Sequence, residues 1–361
     1  MKRVCAAGLI FLLGAWSVAA AQGDPPPGES AYSTRYSVEV IDDATFYGDV
    51  SAPIPKVLNQ VLLEPTFSMK YRSRWSFSTS LVGAETTYSD NVTHLRVKET
   101  YAGLSAGDFD FMAGRKMVRW GTGYAFTSAG VLDPPRDPAD PGDRLNLNQG
   151  RDMVKADWVR GQHAISFAWS TAELARKGMM VRDTTAIRYN VLIHGFDTSF
   201  IAGNDRGDDS FGAFTFTRVL GQAWEVHGEA TWREHGAILA GAKYTTPNGI
   251  TFIGEFYTPP NIPYFRSISL SPSGSRQHYG FLNAGKSRLR ELPGWKEWDL
   301  SGSVVTNFDD RSYVMVGDMN RWFGKHFSSY VHVEIPRGKK GSEYGAAPYG
   351  TATSVGIRFQ L

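Results

Sequence analysis

The stretch with the densest chemistry is GRKMVRWGTGYAFTSAGVLDPPRDPADPGDR, residues 114–144. Arg115, Lys116 and Arg119 place three cations beside Trp120, and Asp133, Asp137, Asp140 and Asp143 place carboxylates near Arg136 and Arg144. Pro134, Pro135, Pro138 and Pro141 each fix one backbone angle, so the segment can hold one shape without regular pairing. Gly121 and Gly123 allow backbone approaches that a side chain would block. Two readings fit: a rigid surface loop whose opposite charges pair with each other, or a loop folded inward so that Arg115, Lys116, Arg119, Trp120, Asp133, Arg136, Asp137 and Asp140 form a charged constriction. Four aspartates could offer oxygen to calcium, but the twelve-residue loop with a terminal glutamate is missing, so no metal or cofactor is expected.

Other chemistry is sparse. The only cysteine, Cys5, lies in the leader described below, which removes thiol catalysis and cysteine metal sites from the rest of the chain. The eight histidines are scattered, and there is no Gly-x-Ser-x-Gly elbow, no phosphate-binding glycine loop and no His-Glu-x-x-His. Gly121-Thr122-Gly123 lacks the strand-to-helix setting of a dinucleotide site. An enzyme is not expected.

The elements that must carry these residues follow from the remainder of the chain. Lys2 and Arg3 precede an uncharged stretch from Val4 to Ala21 that ends in three alanines and is followed by QGDPPPG, the pattern of a cleaved signal peptide over residues 1–21. Without it, 36 basic residues balance 36 acidic ones, and nucleic acid is not an expected partner. No later segment approaches 18 continuous apolar residues, which excludes a helical membrane protein.

Two-fold alternation dominates instead. Trp224, Val226, Gly228, Ala230 and Trp232 alternate with Glu225, His227, Glu229, Thr231 and Arg233; Phe327 to Ile335 and Ser354 to Leu361 repeat the pattern. Such segments run to about ten residues, longer than sandwich strands of about five or six. One face carries Arg, Glu, His and Lys, and the other is apolar with aromatics near strand ends, as a tilted membrane-barrel wall requires. Unpaired backbone in hydrocarbon is costly, so the sheet must close with an even strand count. Short turns at 72–74, 106–108, 161–162, 194–195, 221–222 and 247–249 alternate with longer connections at 42–60, 119–150, 174–184, 204–209, 259–276 and 336–348. Walking them predicts an all-β, closed antiparallel transmembrane barrel of eighteen strands, sixteen or fourteen being the alternatives, in a single domain over 22–361.

On the polar face, Arg96, Lys98, Lys155, Asp157, Arg188, Glu225, Glu229, Arg233, Glu334 and Arg358 are expected to line the lumen or to pair across strands. The last strand ends in Phe359 and Leu361, an amphipathic terminus of the kind the barrel-assembly machinery reads, with Leu where Phe is usual.

A basic residue shortly before Trp-Gly at a strand end that leads into a Pro-rich loop, here Arg115 to Gly121, resembles porin-like outer-membrane families, including alginate-export-type barrels. The motif covers about 30 residues and the barrel pattern the rest. The resemblance implies a Gram-negative outer-membrane channel for a small polar solute or a polymer, with membrane lipid around it. The alternative is a non-conducting structural or assembly barrel whose loops bind a partner. Many porins are trimers, and a homo-trimer is one assembly open to this chain.

Overall fold

The structure is a computed structural model that describes residues 32–51, 54–72, 74–87, 92–134, 136–171, 174–175, 179–180, 183–205, 209–233, 236–258, 277–289 and 295–361. The expected leader at 1–21, Pro135 and the whole connection read as 259–276 lie outside them. Alternating sequences form strands because successive side chains point to opposite faces. The strands are β1 (Tyr32–Gly48), β2 (Val57–Tyr71), β3 (Trp75–Thr87), β4 (Val92–Ala106), β5 (Phe109–Lys116), β6 (Arg151–Arg160), β7 (His163–Ser170), β8 (Leu174–Ala175), β9 (Met179–Met180), β10 (Thr184–Ile193), β11 (Phe196–Asp205), β12 (Asp209–Leu220), β13 (Trp224–Trp232), β14 (Ala237–Thr245), β15 (Ile250–Thr258), β16 (Tyr279–Lys286), β17 (Trp298–Asn307), β18 (Ser312–Phe323), β19 (Phe327–Arg337) and β20 (Thr351–Gln360).

Eighteen of them form one antiparallel sheet. β7 pairs directly with β10, leaving β8 and β9 as a separate two-stranded ribbon. β20 returns to β1 in a register from Glu39–Gln360 to Gly48–Thr351, which closes the barrel. The expected all-β closed barrel of eighteen strands is therefore the observed fold. Closure leaves no open edge in this sheet, so each of its eighteen strands has a neighbour on each side.

The faces separate as the alternation predicts. Leu95, Leu282 and Ile357 stand outward, 77%, 68% and 55% exposed, while Asp43, Ser170 and Asn307 point inward and are fully buried. One bulge departs from strict alternation. Ser80 pairs with Glu99 and Leu81 with Val97, so Lys98 is the extra residue on β4. Such an insertion re-aims neighbouring side chains, and both Lys98 and Glu99 reach inward partners.

The rims differ from expectation in two places. β1 runs on to Gly48, so the connection read as 42–60 narrows to 49–56. The rim of short turns also carries an eleven-residue connection, 287–297, and 308–311 is short on the opposite rim. Connection length and rim are thus only loosely coupled. Antiparallel pairing alone alternates the strand direction, so the strand count is unaffected. At the tight turns, Gly161 (φ 60°) and Gly221 (φ 63°) adopt the left-handed conformation that hairpin loops require.

Candidate functional site

Residues 117–150 leave β5, fold into the lumen and return to β6, packing against the wall at three places. Trp120, Ala129 and Leu132 meet Ala168, Ala186, Ile201, Phe211 and Ala213, inward residues of β7 and β10–β12. Ala125 and Phe126 pack among Leu239, Tyr257, Phe281, Val305, Val314 and Val316. Leu145 joins Ile41, Leu62, Val82 and Tyr330, which closes the circuit on the β1–β3 side. Burying Trp120, Phe126 and Leu132 contributes about 1.5–3 kcal/mol each.

A loop without regular pairing must satisfy its own amides, and two wall carboxylates do so. Glu229 of β13 accepts from the backbone N–H groups of Thr122, Gly123 (3.0 Å), Ser128 and Ala129 (2.8 Å), and from the Thr127 hydroxyl at 3.0 Å. Glu255 of β15 accepts from the N–H groups of Tyr124, Ala125 (2.9 Å) and Phe126 (3.2 Å), and from His227 Nε2 at 3.0 Å. Each buried carboxylate is thereby held by several charge-assisted bonds. The approach is close enough to demand glycine. A Cβ on Gly121 would lie 2.0 Å from Thr127 Oγ1, and one on Gly123 2.3 Å from the Phe126 carbonyl.

Within the loop, Asp133 accepts from Trp120 N at 2.6 Å and pairs with Arg136 at 3.0 Å, while Arg136 also donates to the carbonyls of Gly123, Tyr124 and Phe126. The far half is anchored by Arg144, which pairs with Asp43 of β1 at 2.7 Å. Asn146 donates to Glu39 and Glu64, and Arg358 donates to the Arg144 carbonyl. Burial raises three loop carboxyls. Asp133 is pushed up against the opposing pull of Arg136, and Asp137 against that of the Ala139 N–H. Asp140 rises to about 6, although the Arg144 N–H and guanidinium oppose the shift.

The structure thus takes the inward alternative for the loop while also pairing its charges internally. Of the eight constriction candidates, Trp120 is committed to docking the loop on the wall, and Asp133 and Arg136 to the ion pair within the loop. Lys116 turns inward and sits 4.2 Å from the Tyr101 ring centroid, Arg119 is exposed, and Asp137 accepts the Ala139 N–H at 2.9 Å within the loop. Arg115 requires correction. Gly114 holds φ 126°, and Arg115 pairs in register with Thr100 and Asp152 on the outer face that carries Phe111 and Val154. There it forms a two-pronged ion pair with Asp152 at 2.8 and 2.9 Å. Its strand parity, readable only once the register is known, removes it from the lumen.

The expected lumen charges all lie on the inner face. Lys98 is buried against Glu64 (2.8 Å), Lys155 bonds Asp157, Arg233 pairs with Asp205 (2.8 Å), and Arg358 approaches Glu39 (3.2 Å). Glu225 takes the Tyr124 hydroxyl at 2.8 Å, and Glu334 takes His332 at 2.9 Å. Arg188 donates to Ser199. Sequence reading did not count Glu99, His227, Glu255, Asp318 and His332 among the lumen charges. The ring of His332 is flanked by Asp318 at 2.7 Å and Glu334 at 2.9 Å, one carboxylate at each nitrogen. The overlooked signal was apolar residues on both faces of one strand: Phe211 and Ala213 beside Phe214 and Phe216 mark where the loop docks.

An asymmetry emerges around the lumen. The acidic wall of β13–β19 is largely neutralised by the loop amides, by histidine and by Lys243. On the other side Arg96 of β4, Lys116 of β5, Arg188 of β10 and Arg119 of the loop form no ion pair with a carboxylate among the described residues.

No family model and no curated protein matches the chain. Solved structures do. Pseudomonas aeruginosa OpdQ aligns with TM-score 0.62 at 9% identity over 91% of this chain and 99% of that one. OccK5 (OpdH) of the same organism aligns at 0.65 and 7% identity over 91% and 98%. The P. aeruginosa outer membrane protein OpdK aligns at 0.63 and 8% identity, also over 91% and 98%. The chain has the fold of a porin-like outer-membrane barrel. The neighbours give no support to the narrower comparison with alginate-export-type barrels.

Proposed function

We propose that this chain is a channel of the Gram-negative outer membrane that passes small anionic solutes by diffusion past the loop 117–150. The apolar outer face supports a hydrocarbon setting, with the short-turn rim toward the periplasm and the longer connections outside. The carrying observation is the charge balance of the lumen. Its carboxylates are largely occupied by backbone amides, cations or histidines, whereas Arg96, Lys116, Arg119 and Arg188 keep cationic heads without a carboxylate partner among the described residues. Lumenal charges of one sign raise the local concentration of the opposite ion. OpdK, one of the structural neighbours, has also been solved with vanillate, a small aromatic carboxylate. That complex supports the same solute class for this lumen.

The loop touches the wall on three sides, a geometry that favours small solutes over a threading polymer. The test is the reversal potential across a planar bilayer bearing a potassium chloride gradient. Chloride preference is expected; a cation preference would overturn the solute class, and silence from folded protein would favour the non-conducting alternative.

A further inference from the structure

On the inner wall, the footprint of the docked loop ends at Phe281 of β16, Val305 of β17 and Val316 of β18. From there toward the periplasm, the inward positions of these three strands carry no apolar side chain until Trp322. Register sets Thr251, Gly285, Ser301 and Asp318 side by side across β15–β18, and pairs Asp299 with Asn320 in the row below. Gly285 presents no side chain between Thr251 and Ser301, and the wall is indented there into a hollow of about 430 Å³. That volume lies in the range of about 300–1,000 Å³ typical of ligand sites.

Toward the exit, Arg288, Lys296 and Trp322 line an adjoining recess of about 260 Å³, with Glu297 as the carboxylate among its described lining residues. Asp299 joins the two spaces, accepting from the Arg288 N–H at 2.8 Å and from Trp322 Nε1 at 2.9 Å. An ionised carboxylate offers about four acceptor positions. Asp299 uses two of them, and Asp318 uses two on His332 (2.7 Å) and Ser301 (3.4 Å). Each keeps acceptor capacity, and 42% of the Asp318 side chain is exposed. Acceptors and an amide at one end, two cations at the other and an indole beside them match a hydroxylated ring that bears a carboxylate.

We infer that this depression is an exit-side binding site for a sugar acid, whose hydroxyls meet Asp299, Asp318 and Asn320 and whose carboxylate meets Arg288 and Lys296. The inference rests on the lumen being a path for small anions, and it names their class. A neutral sugar leaves both cations unused, and an acid without hydroxyls leaves buried acceptors without new donors. Trp322, its indole held by Asp299, offers an apolar ring face to the C–H face of a pyranose. The site lies on strands other than those of Arg96, Lys116 and Arg188, so it is a second station and not part of the same filter.

The experiment is saturation-transfer NMR on the folded full chain in detergent, with D-glucuronate, D-glucose and cyclohexanecarboxylate as probes. Transfer to glucuronate should exceed transfer to either comparison probe. Arg288→Gln with Lys296→Gln should weaken glucuronate about tenfold and leave glucose where it was. Asn320→Leu should weaken glucuronate about fivefold without weakening cyclohexanecarboxylate. Heat-modifiable migration confirms that each variant folds. No transfer to glucuronate, equal affinity for either comparison probe, or unchanged glucuronate affinity in both variants would each overturn the site. Bilayer recordings of the wild type in potassium chloride alone test the channel reading separately. A silent chain that binds glucuronate keeps the site and loses the channel; a chloride-selective chain that ignores glucuronate does the reverse.

Discussion

Replacing Glu229 with alanine removes the acceptor shared by four backbone N–H groups of the loop, those of Thr122, Gly123, Ser128 and Ala129. A buried amide left without a partner costs about 1–3 kcal/mol. Four of them cost at least about 4 kcal/mol unless lumenal water replaces the carboxylate, and rehydration itself requires the loop to lift. That loss is comparable to the packing of Trp120, Phe126 and Leu132 together, about 4–9 kcal/mol as an upper bound. About 4 kcal/mol shifts a docked–undocked equilibrium roughly 1,000-fold. The wall does not depend on this carboxylate, since each of the eighteen barrel strands keeps its ladder on both sides. Glu229→Ala should therefore still fold and insert, but should conduct more per channel, with added current noise, and should be cut by trypsin at Arg119, Arg136 or Arg144. Glu229→Gln keeps one acceptor oxygen and should fall between. Conductance and trypsin resistance equal to wild type would refute the amide-capture argument.

Gly123→Ala should act in the same direction, because its Cβ would collide with the Phe126 carbonyl and with Leu239, and trypsin sensitivity of the loop is the readout. Asp140 gives a pH dependence. Its folded value is raised to about 6 from an ordinary 3.8, so the loop is most stable with this carboxyl protonated, and that contribution fades as pH rises through about 4 to 6. The added negative charge should lower chloride preference between about pH 5 and 7, an effect absent in Asp140→Asn; a flat wild-type reversal potential over that range would count against it. Combined Arg96→Ala, Lys116→Ala, Arg119→Ala and Arg188→Ala should erase chloride preference, as read from reversal potentials. Arg115→Ala, by contrast, should leave selectivity intact and cost at most about 1 kcal/mol, since its ion pair is partly exposed on the outer face.

The barrel was legible because its physics is local. A segment with water on one face and hydrocarbon on the other writes its period into every second residue, as in Trp224 to Trp232, and closure follows from the cost of unpaired backbone. The loop's unusual composition was equally plain, and Gly121 and Gly123 were read for the close approach they make. What escaped depends on register and on distant partners. Arg115 looks like its lumenal neighbour Lys116 until the pairing with Asp152 shows its side of the sheet. Glu229 was identified as lumenal, but nothing in the sequence says that it and Glu255, 26 positions apart on β13 and β15, gather the amides of one loop. His332 is likewise unremarkable until β18 brings Asp318 beside it.

The most direct measurement is the single-channel behaviour of the purified, folded chain in a planar bilayer under a salt gradient. Discrete conductance steps with a reversal potential on the chloride side are the expected result. Stable insertion without any conductance, or steps that favour the cation, would contradict it.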